Sequence, residues 1–295
     1  MLSAASSPPR TAAQARRQVM KNILTDNITI PAFANFVQHG DGPPVILVHG
    51  IAASLHDWDN LIPELTKNGY TAYALDLLGH GDSPKPDFQV YRMDWVFEHF
   101  EHWMRSLRLT EPAIVIGHSL GGYLALEYAR RVSAWTRGLI LVNPFYSPLQ
   151  LNPLLRRTYS RRNLRGYLAS KAPAWVYRAF VDIGSLVMGR NHGTLHSLPE
   201  RIRIQTALDY ARTAPGVYRI PNLISDLTDS LEHILTPTLV VWGDRDQTLS
   251  PASFSELVTM LPRASGKSLR AGHVPHQSNA MEFNQMVLEF LMEIR

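Results

Sequence analysis

Cysteine is absent from the 295 residues. That excludes disulfides, thiolate metal ligands and a cysteine nucleophile. It leaves the compartment open, because cytosolic and periplasmic chains alike can lack cysteine. Long apolar runs are also missing: no tract reaches the roughly 18 unbroken apolar residues that a membrane span needs. The longest uncharged stretch, Leu139 to Leu155, is interrupted by Pro144, Pro148 and Pro153. Near the N-terminus there is no apolar h-region of a secretory signal. No histidines or acids stand at the spacing of a metal motif such as H-E-x-x-H, so no metal or organic cofactor is expected.

Hydrophobic residues make up 45% of the chain and charged residues 18%, an ordinary soluble-protein balance that excludes disordered and collagen-like classes. The net charge is +4, and part of the basic excess is concentrated in Arg156, Arg157, Arg161, Arg162 and Arg165. Guanidinium groups at that density suit an anionic substrate or an acidic membrane surface. The plainer expectation is a solvated helix face with its arginine stems packed on apolar surface. Nucleic-acid binding is not expected, since the basic residues are local and no recognition motif accompanies them.

Five short apolar segments read as buried strands: Val45 to Val48, Thr71 to Leu75, Ala113 to Ile116, Gly138 to Val142 and Thr238 to Trp242, with a weaker sixth near Gly266 to Arg270. Apolar residues at helical spacing alternate with them, over Trp58 to Lys67, Trp95 to Leu107, Leu120 to Arg131, Phe254 to Leu261 and Phe283 to Ile294. Alternation of this kind predicts an α/β fold with a mainly parallel, doubly wound sheet covered on both faces. Residues 28–41 are expected to add short antiparallel pairing at the sheet edge.

Residues 145–234 break the pattern, with helical stretches at Ala174 to Phe180 and Glu200 to Ala211, the latter expected to start at Ser197 and Pro199. The expected organisation is an N-terminal extension over 1–26, a core over 27–144 and 235–295, and an inserted helical cap over 145–234. The extension carries Arg10, Arg16, Arg17 and Lys21; a ragged tail leading into a short helix is the expectation, with an organelle transit peptide as the alternative and the cytoplasm as the expected location. Within the cap, Trp175, Tyr177, Phe180, Tyr210 and Tyr218 are expected to hold its helices together rather than to line a pocket.

Gly117-His118-Ser119-Leu120-Gly121 fits G-x-S-x-G in a strand–turn–helix context. A serine hydroxyl is a weak nucleophile alone and needs a base that an acid orients. His273 follows Gly272 at a strand end and suits the base better than His276 behind Pro275. For the acid, Asp244 and Asp246 both follow the strand ending at Trp242, and the local pattern does not choose between them. The backbone amides of Leu120 and Ile51 are the natural donors to a tetrahedral oxyanion. His49 and His80, in glycine-rich turns, are expected to be packed and hydrogen-bonded, and His118 to point away from the nucleophile. His192 and His196 lie in the expected cap.

Val48-His-Gly50, Asp76-Leu-Leu-Gly-His-Gly-Asp-Ser83, Gly117-His-Ser-Leu-Gly-Gly122, Trp242-Gly-Asp-Arg-Asp246 and Gly272-His273 occur in the order found in the α/β-hydrolase superfamily. From about Asn27 onward the chain resembles its capped, serine-nucleophile branch. The resemblance implies Ser119 as nucleophile, Asp246 as acid, His273 as base, and Ile51 and Leu120 as oxyanion donors. Ser119 argues against the family's dehalogenases and epoxide hydrolases, which carry aspartate at the elbow. The implied activity is hydrolysis of a small to medium, lipophilic carboxylic ester or thioester through an acyl-enzyme. The competing expectation is a ligand-binding or accessory protein on the same scaffold.

Overall fold

The computed structural model describes residues 29–88, 90–151, 172–191 and 197–294. The N-terminal extension, the Arg156–Arg165 cluster, His192 and His196 lie outside the described residues.

Seven strands form one sheet: β1 (Phe36–His39), β2 (Pro44–Val48), β3 (Thr71–Leu75), β4 (Ala113–His118), β5 (Thr136–Val142), β6 (Thr238–Gly243) and β7 (Ala264–Leu269), in the order β1-β3-β2-β4-β5-β6-β7. All neighbours are parallel except β1, which closes the edge antiparallel to β3. β2 and β4 are buried at every position. This is why their sequences are continuous apolar runs instead of alternating ones.

Among the described residues the helices are α1 (Ile62–Lys67), α2 (Met93–Ser106), α3 (Leu120–Arg131), α4 (Ala174–Asn191), α5 (Glu200–Arg212), α6 (Pro251–Met260), α7 (Pro275–Ser278) and α8 (Ala280–Glu293). One face of the sheet packs into a core that includes Leu47, Ile116, Val142, Val241, Trp58, Leu65, Phe283 and Val287. The helix expected over Trp58 to Lys67 is split into a 3-10 turn at Leu55–Trp58 and α1. Pro63 is the physical reason: it cannot donate within a helix and sits in the first turn of α1. α5 starts at Pro199, which offers no side-chain cap. Ser197 instead donates its backbone N–H to Ser185 O and ties the approach to α4.

Register places the working ends of the strands together. Val48 pairs with Gly117 and His118 with Val142, so the carboxyl ends of β2, β4 and β5 stand level. Ligands bind at this end of open α/β sheets. α4 and α5 lie in the chain between β5 and β6 and pack on each other through Tyr177, Val181 and Ala207.

Candidate active site

Ser119 sits at the β4–α3 junction with φ 51° and ψ −111°, a conformation that is costly for a residue bearing a Cβ. The surrounding bonds hold it there: its N–H donates to Val142 O at 2.9 Å, and its carbonyl accepts from Gly122 N at 3.0 Å and Phe145 N at 2.9 Å. The flanking glycines are spatial requirements. A Cβ on Gly117 would stand 2.3 Å from Gly121 O, and one on Gly121 would stand 2.1 Å from Val48 O.

His273 lies past the end of β7, in a segment that is neither helix nor strand, 154 residues from Ser119 in the chain. Its Nε2 stands 3.1 Å from Ser119 Oγ and its Nδ1 stands 2.7 Å from Asp246 Oδ2. Asp246 has its side chain fully buried, and four donors reach its carboxylate: His273 Nδ1, Asn143 Nδ2 at 2.7 Å, and the Thr248 and Leu249 amides at 2.7 and 3.1 Å. Burial alone would raise the pKa of Asp246. The charge and hydrogen bond of His273, with Asn143 and the Leu249 amide, outweigh burial and hold it below the ordinary carboxylate value. An ionised Asp246 only accepts, so Nδ1 of His273 carries hydrogen and the Nε2 lone pair faces the serine hydroxyl.

The structure therefore brings Ser119, His273 and Asp246 into one hydrogen-bonded line. Asp244 is exposed and takes no part in it. Ile51 and Leu120 line the same cavity as Ser119 and His273. Leu120 is the first residue of α3, where backbone N–H groups lack intrahelical acceptors and the helix dipole is positive.

The cavity measures about 660 Å³ and is mostly apolar. Tyr177, Phe180, Tyr210 and Tyr218 all line it, so these residues do more than bind the cap helices to one another. Tyr177 and Tyr210 also take part in the packing of α4 on α5. Trp175 does not line it and is 71% exposed.

His49 and His80 are fully buried. His49 Nε2 accepts from the Leu77 N–H at 3.0 Å, and His80 Nδ1 donates to Leu78 O at 3.0 Å. Burial pushes the His80 pKa down to about 3. His118 points away from the hydroxyl toward Asp57, and His276 packs between Trp58, His118 and Phe283.

Sequence reasoning missed Asn143, Asp57 and Gln277. Asn143 carried a signal, as a polar residue ending a buried strand, but its target lies 103 residues away. Asp57 and Gln277 meet across 220 residues, with nothing local to announce it. Asp57, His118 and His276 form a buried cluster whose polar atoms lie within 4.8 Å of one another.

Residues 45–286 match the model of the alpha/beta hydrolase family. Lipase 3 of a Moraxella species is 27% identical over 255 residues, covering 79% of this chain and 72% of the lipase. Epoxide hydrolase 3 of Xenopus tropicalis is 25% identical over 279 residues, covering 88% of this chain and 74% of that protein. Among solved structures, a thermophilic esterase from Thermogutta terrifontis superposes with a TM-score of 0.72 at 24% identity, covering 88% of this chain and 93% of the esterase. With a family model matched over well more than half its length and a sheet of the same architecture, the chain belongs to the alpha/beta hydrolase family.

Proposed function

We propose that this hydrolase cleaves a carboxylic ester or thioester through an acyl-enzyme, with Ser119 as nucleophile, His273 as general base and Asp246 as the acid that orients it. The carrying observation is the continuous line from Ser119 Oγ to His273 Nε2 and from His273 Nδ1 to Asp246. Ser119 attacks the substrate carbonyl carbon as His273 takes its proton. The amides of Ile51 and Leu120 stabilise the oxygen that gains the negative charge. The tetrahedral intermediate collapses, its carbon–oxygen or carbon–sulfur bond breaks, and His273 gives the proton to the leaving group. Water, deprotonated by His273, then attacks the acyl-enzyme and releases the acid and free Ser119.

The apolar cavity supports a lipophilic acyl or alcohol portion, and α4 and α5, which contribute to its lining, act as part of a cap over the strand ends. The test is a panel of p-nitrophenyl esters of increasing acyl length, with a thioester, on wild type and Ser119→Ala. Turnover is expected to fall by at least about 10⁴-fold in the variant, because the three residues act as a unit. A fluorophosphonate probe is expected to label Ser119 in the wild type. A folded wild type that neither reacts with the probe nor turns over any ester would support the ligand-binding alternative.

A further inference from the structure

We propose that His118 is a positioning residue for the base: a hydrogen bond from its Nε2 to the main-chain carbonyl of His273 fixes where the His273 ring stands above Ser119, and Asp57 anchors the opposite edge of the His118 ring. The inference rests on His273 acting as the base.

His118 is the last residue of β4 and is 4% exposed. Its Nε2 lies 3.0 Å from His273 O, and its Nδ1 lies 3.3 Å from Asp57 Oδ2. Asp57 belongs to the 3-10 turn after β2, and its Oδ1 accepts from Gln277 Nε2 at 2.7 Å. Gln277 lies in α7, four residues beyond His273. The segment carrying the base is thus pinned twice, at the His273 carbonyl to the end of β4 and at Gln277 to Asp57. The ring of His276 fills the space beside both, with centroids 4.5 Å from His118 and 4.9 Å from Trp58.

The same imidazole seats the third part of the site. A Cβ on Gly50 would stand 2.8 Å from His118 Nδ1 and 3.3 Å from Ser119 Cβ. The turn that presents Ile51 therefore rests directly on the His118 ring. One side chain touches the nucleophile's strand, the base's backbone and the turn before Ile51. Without the carbonyl contact, the segment of no regular structure that carries His273 loses one of its two pins, at the residue whose ring must meet Ser119 and Asp246. A displacement of about 1 Å at such a position can cost about 100-fold in rate.

A carbonyl only accepts, so the contact to His273 requires hydrogen on Nε2. The titratable groups facing His118 are Asp57, His276 and His273. Burial and His276 push its pKa down to about 4, with Asp57 working against them and His273 adding to the lowering. A neutral ring has one N–H and two acceptors before it, and a doubly protonated ring serves both. The carbonyl contact is made by the tautomer with hydrogen on Nε2, in which Asp57 lies against the Nδ1 edge without accepting from it, and by the doubly protonated ring, in which Asp57 accepts from Nδ1 as well.

Two amide substitutions separate the two edges of the ring. In His118→Gln the side-chain NH₂ falls near the place of Nε2 and keeps the donor to His273. In His118→Asn it falls near Nδ1 and keeps only the Asp57 side. The readouts are kcat and KM on a neutral p-nitrophenyl ester, the rate of fluorophosphonate labelling and Tm. The Gln variant is expected to stay within about 3-fold of wild type in kcat, and the Asn variant to lose about 10- to 100-fold in kcat with KM held within about 3-fold.

Equal activity of the two folded variants, whether both high or both low, overturns the proposal. Where Tm shows that neither folds, Gln277→Leu carries the test: it frees Asp57 while leaving position 118 intact. A several-fold loss of kcat in folded Gln277→Leu protein supports the proposal, and wild-type kcat overturns it. Ser119→Ala and His273→Ala are assayed alongside. Persistent turnover in those two means the acyl-enzyme reading has failed, whereas their inactivity beside indistinguishable position-118 variants means this inference alone has failed.

Discussion

Asn143 and Asp246 meet at the same oxygen that holds His273. Asn143 Nδ2 donates to Asp246 Oδ2 at 2.7 Å, and His273 Nδ1 donates to that atom at 2.7 Å. Asn143 is itself fixed at the end of β5, with its Oδ1 accepting from Gly243 N at 3.3 Å and its backbone at φ 41°. The orientation of the His273 ring therefore depends on two neighbouring strand ends, β5 and β6.

Removing the Asn143 amide should move the acid limb of activity. The amide stabilises ionised Asp246, whose pKa is depressed, so Asn143→Ala raises that pKa toward the ordinary value. As pH falls, the variant protonates Asp246 earlier and loses activity at a higher pH than wild type. At pH 7.5 kcat is expected to fall about 10-fold, roughly the 1.4 kcal/mol of one hydrogen bond to a charged group. The check is kcat/KM from pH 4 to 8. An acid limb that superposes on the wild type's would show that Asn143 does not tune the carboxylate.

Much of this arrangement was legible in the sequence because it is local. The elbow needs a strand, two close-packed glycines and a helix within a few residues, and Gly117 to Gly121 display all of them. The parallel sheet was legible because strands buried on both faces are uniformly apolar. What stayed hidden depends on long-range meetings. Asp244 and Asp246 follow the same strand, and only the turn that buries one and exposes the other separates them. The aromatic residues of α4 and α5 show helical periodicity in either role, so the sequence did not reveal that Tyr177 and Tyr210 face a cavity as well as each other's helices.

The glycines flanking Ser119 make a sharper test of its geometry than replacing the serine does. Gly117→Ala places a methyl group 2.3 Å from the backbone oxygen of Gly121, where neither partner is a flexible side-chain end. Overpacking of this sort costs about 1–3 kcal/mol. In a chain of this size that corresponds to a Tm lowered by at least about 2 °C. Fluorophosphonate labelling measured well below Tm should fall by a larger factor than the folded fraction does. Labelling at the wild-type rate in the folded variant would mean that Ser119 does not need the tight crossing.

Asp76 is expected to be a structural carboxylate with a pH signature of its own. It follows Leu75 at the end of β3, is 2% exposed, and accepts from Leu55 N, Asp82 N and Asn35 Nδ2, each at 2.8 Å. Burial would raise its pKa. The electrostatic influence of His49 and these hydrogen bonds outweigh burial and lower it below the ordinary value. Its contribution to stability is therefore complete above the unfolded carboxylate pKa and is lost as pH falls through the lower folded value. Asp76→Ala should destabilise by about 2–4 kcal/mol at pH 7, since three donors lose a buried acceptor. The deficit should narrow on acidification. Urea midpoints at pH 7 and at about pH 2.5, well below the ordinary Asp pKa of about 3.9, measure it, and an equal deficit at both would assign the loss to packing alone.

Asp209 should behave in the opposite sense. It lies on α5, lines the cavity, and is 4% exposed. Burial raises its pKa to about 7, the charge of Asp57 adds to the rise, and hydrogen bonds from Gln205 and Ser54 only partly offset it. A folded pKa above the unfolded one means that the native state holds a proton that the unfolded chain has released between about pH 4 and 7. Stability is therefore greatest below that window and declines as pH rises through it. Asp209→Asn keeps the shape and removes the titration. At pH 4 the two proteins should melt together. Above pH 7 the variant should be the more stable, by at most about 4 kcal/mol, the equivalent of three pKa units. Tm measured from pH 4 to 8.5 decides it: a constant difference across the range would mean that the carboxyl at the cavity wall titrates alike in the folded and unfolded chain.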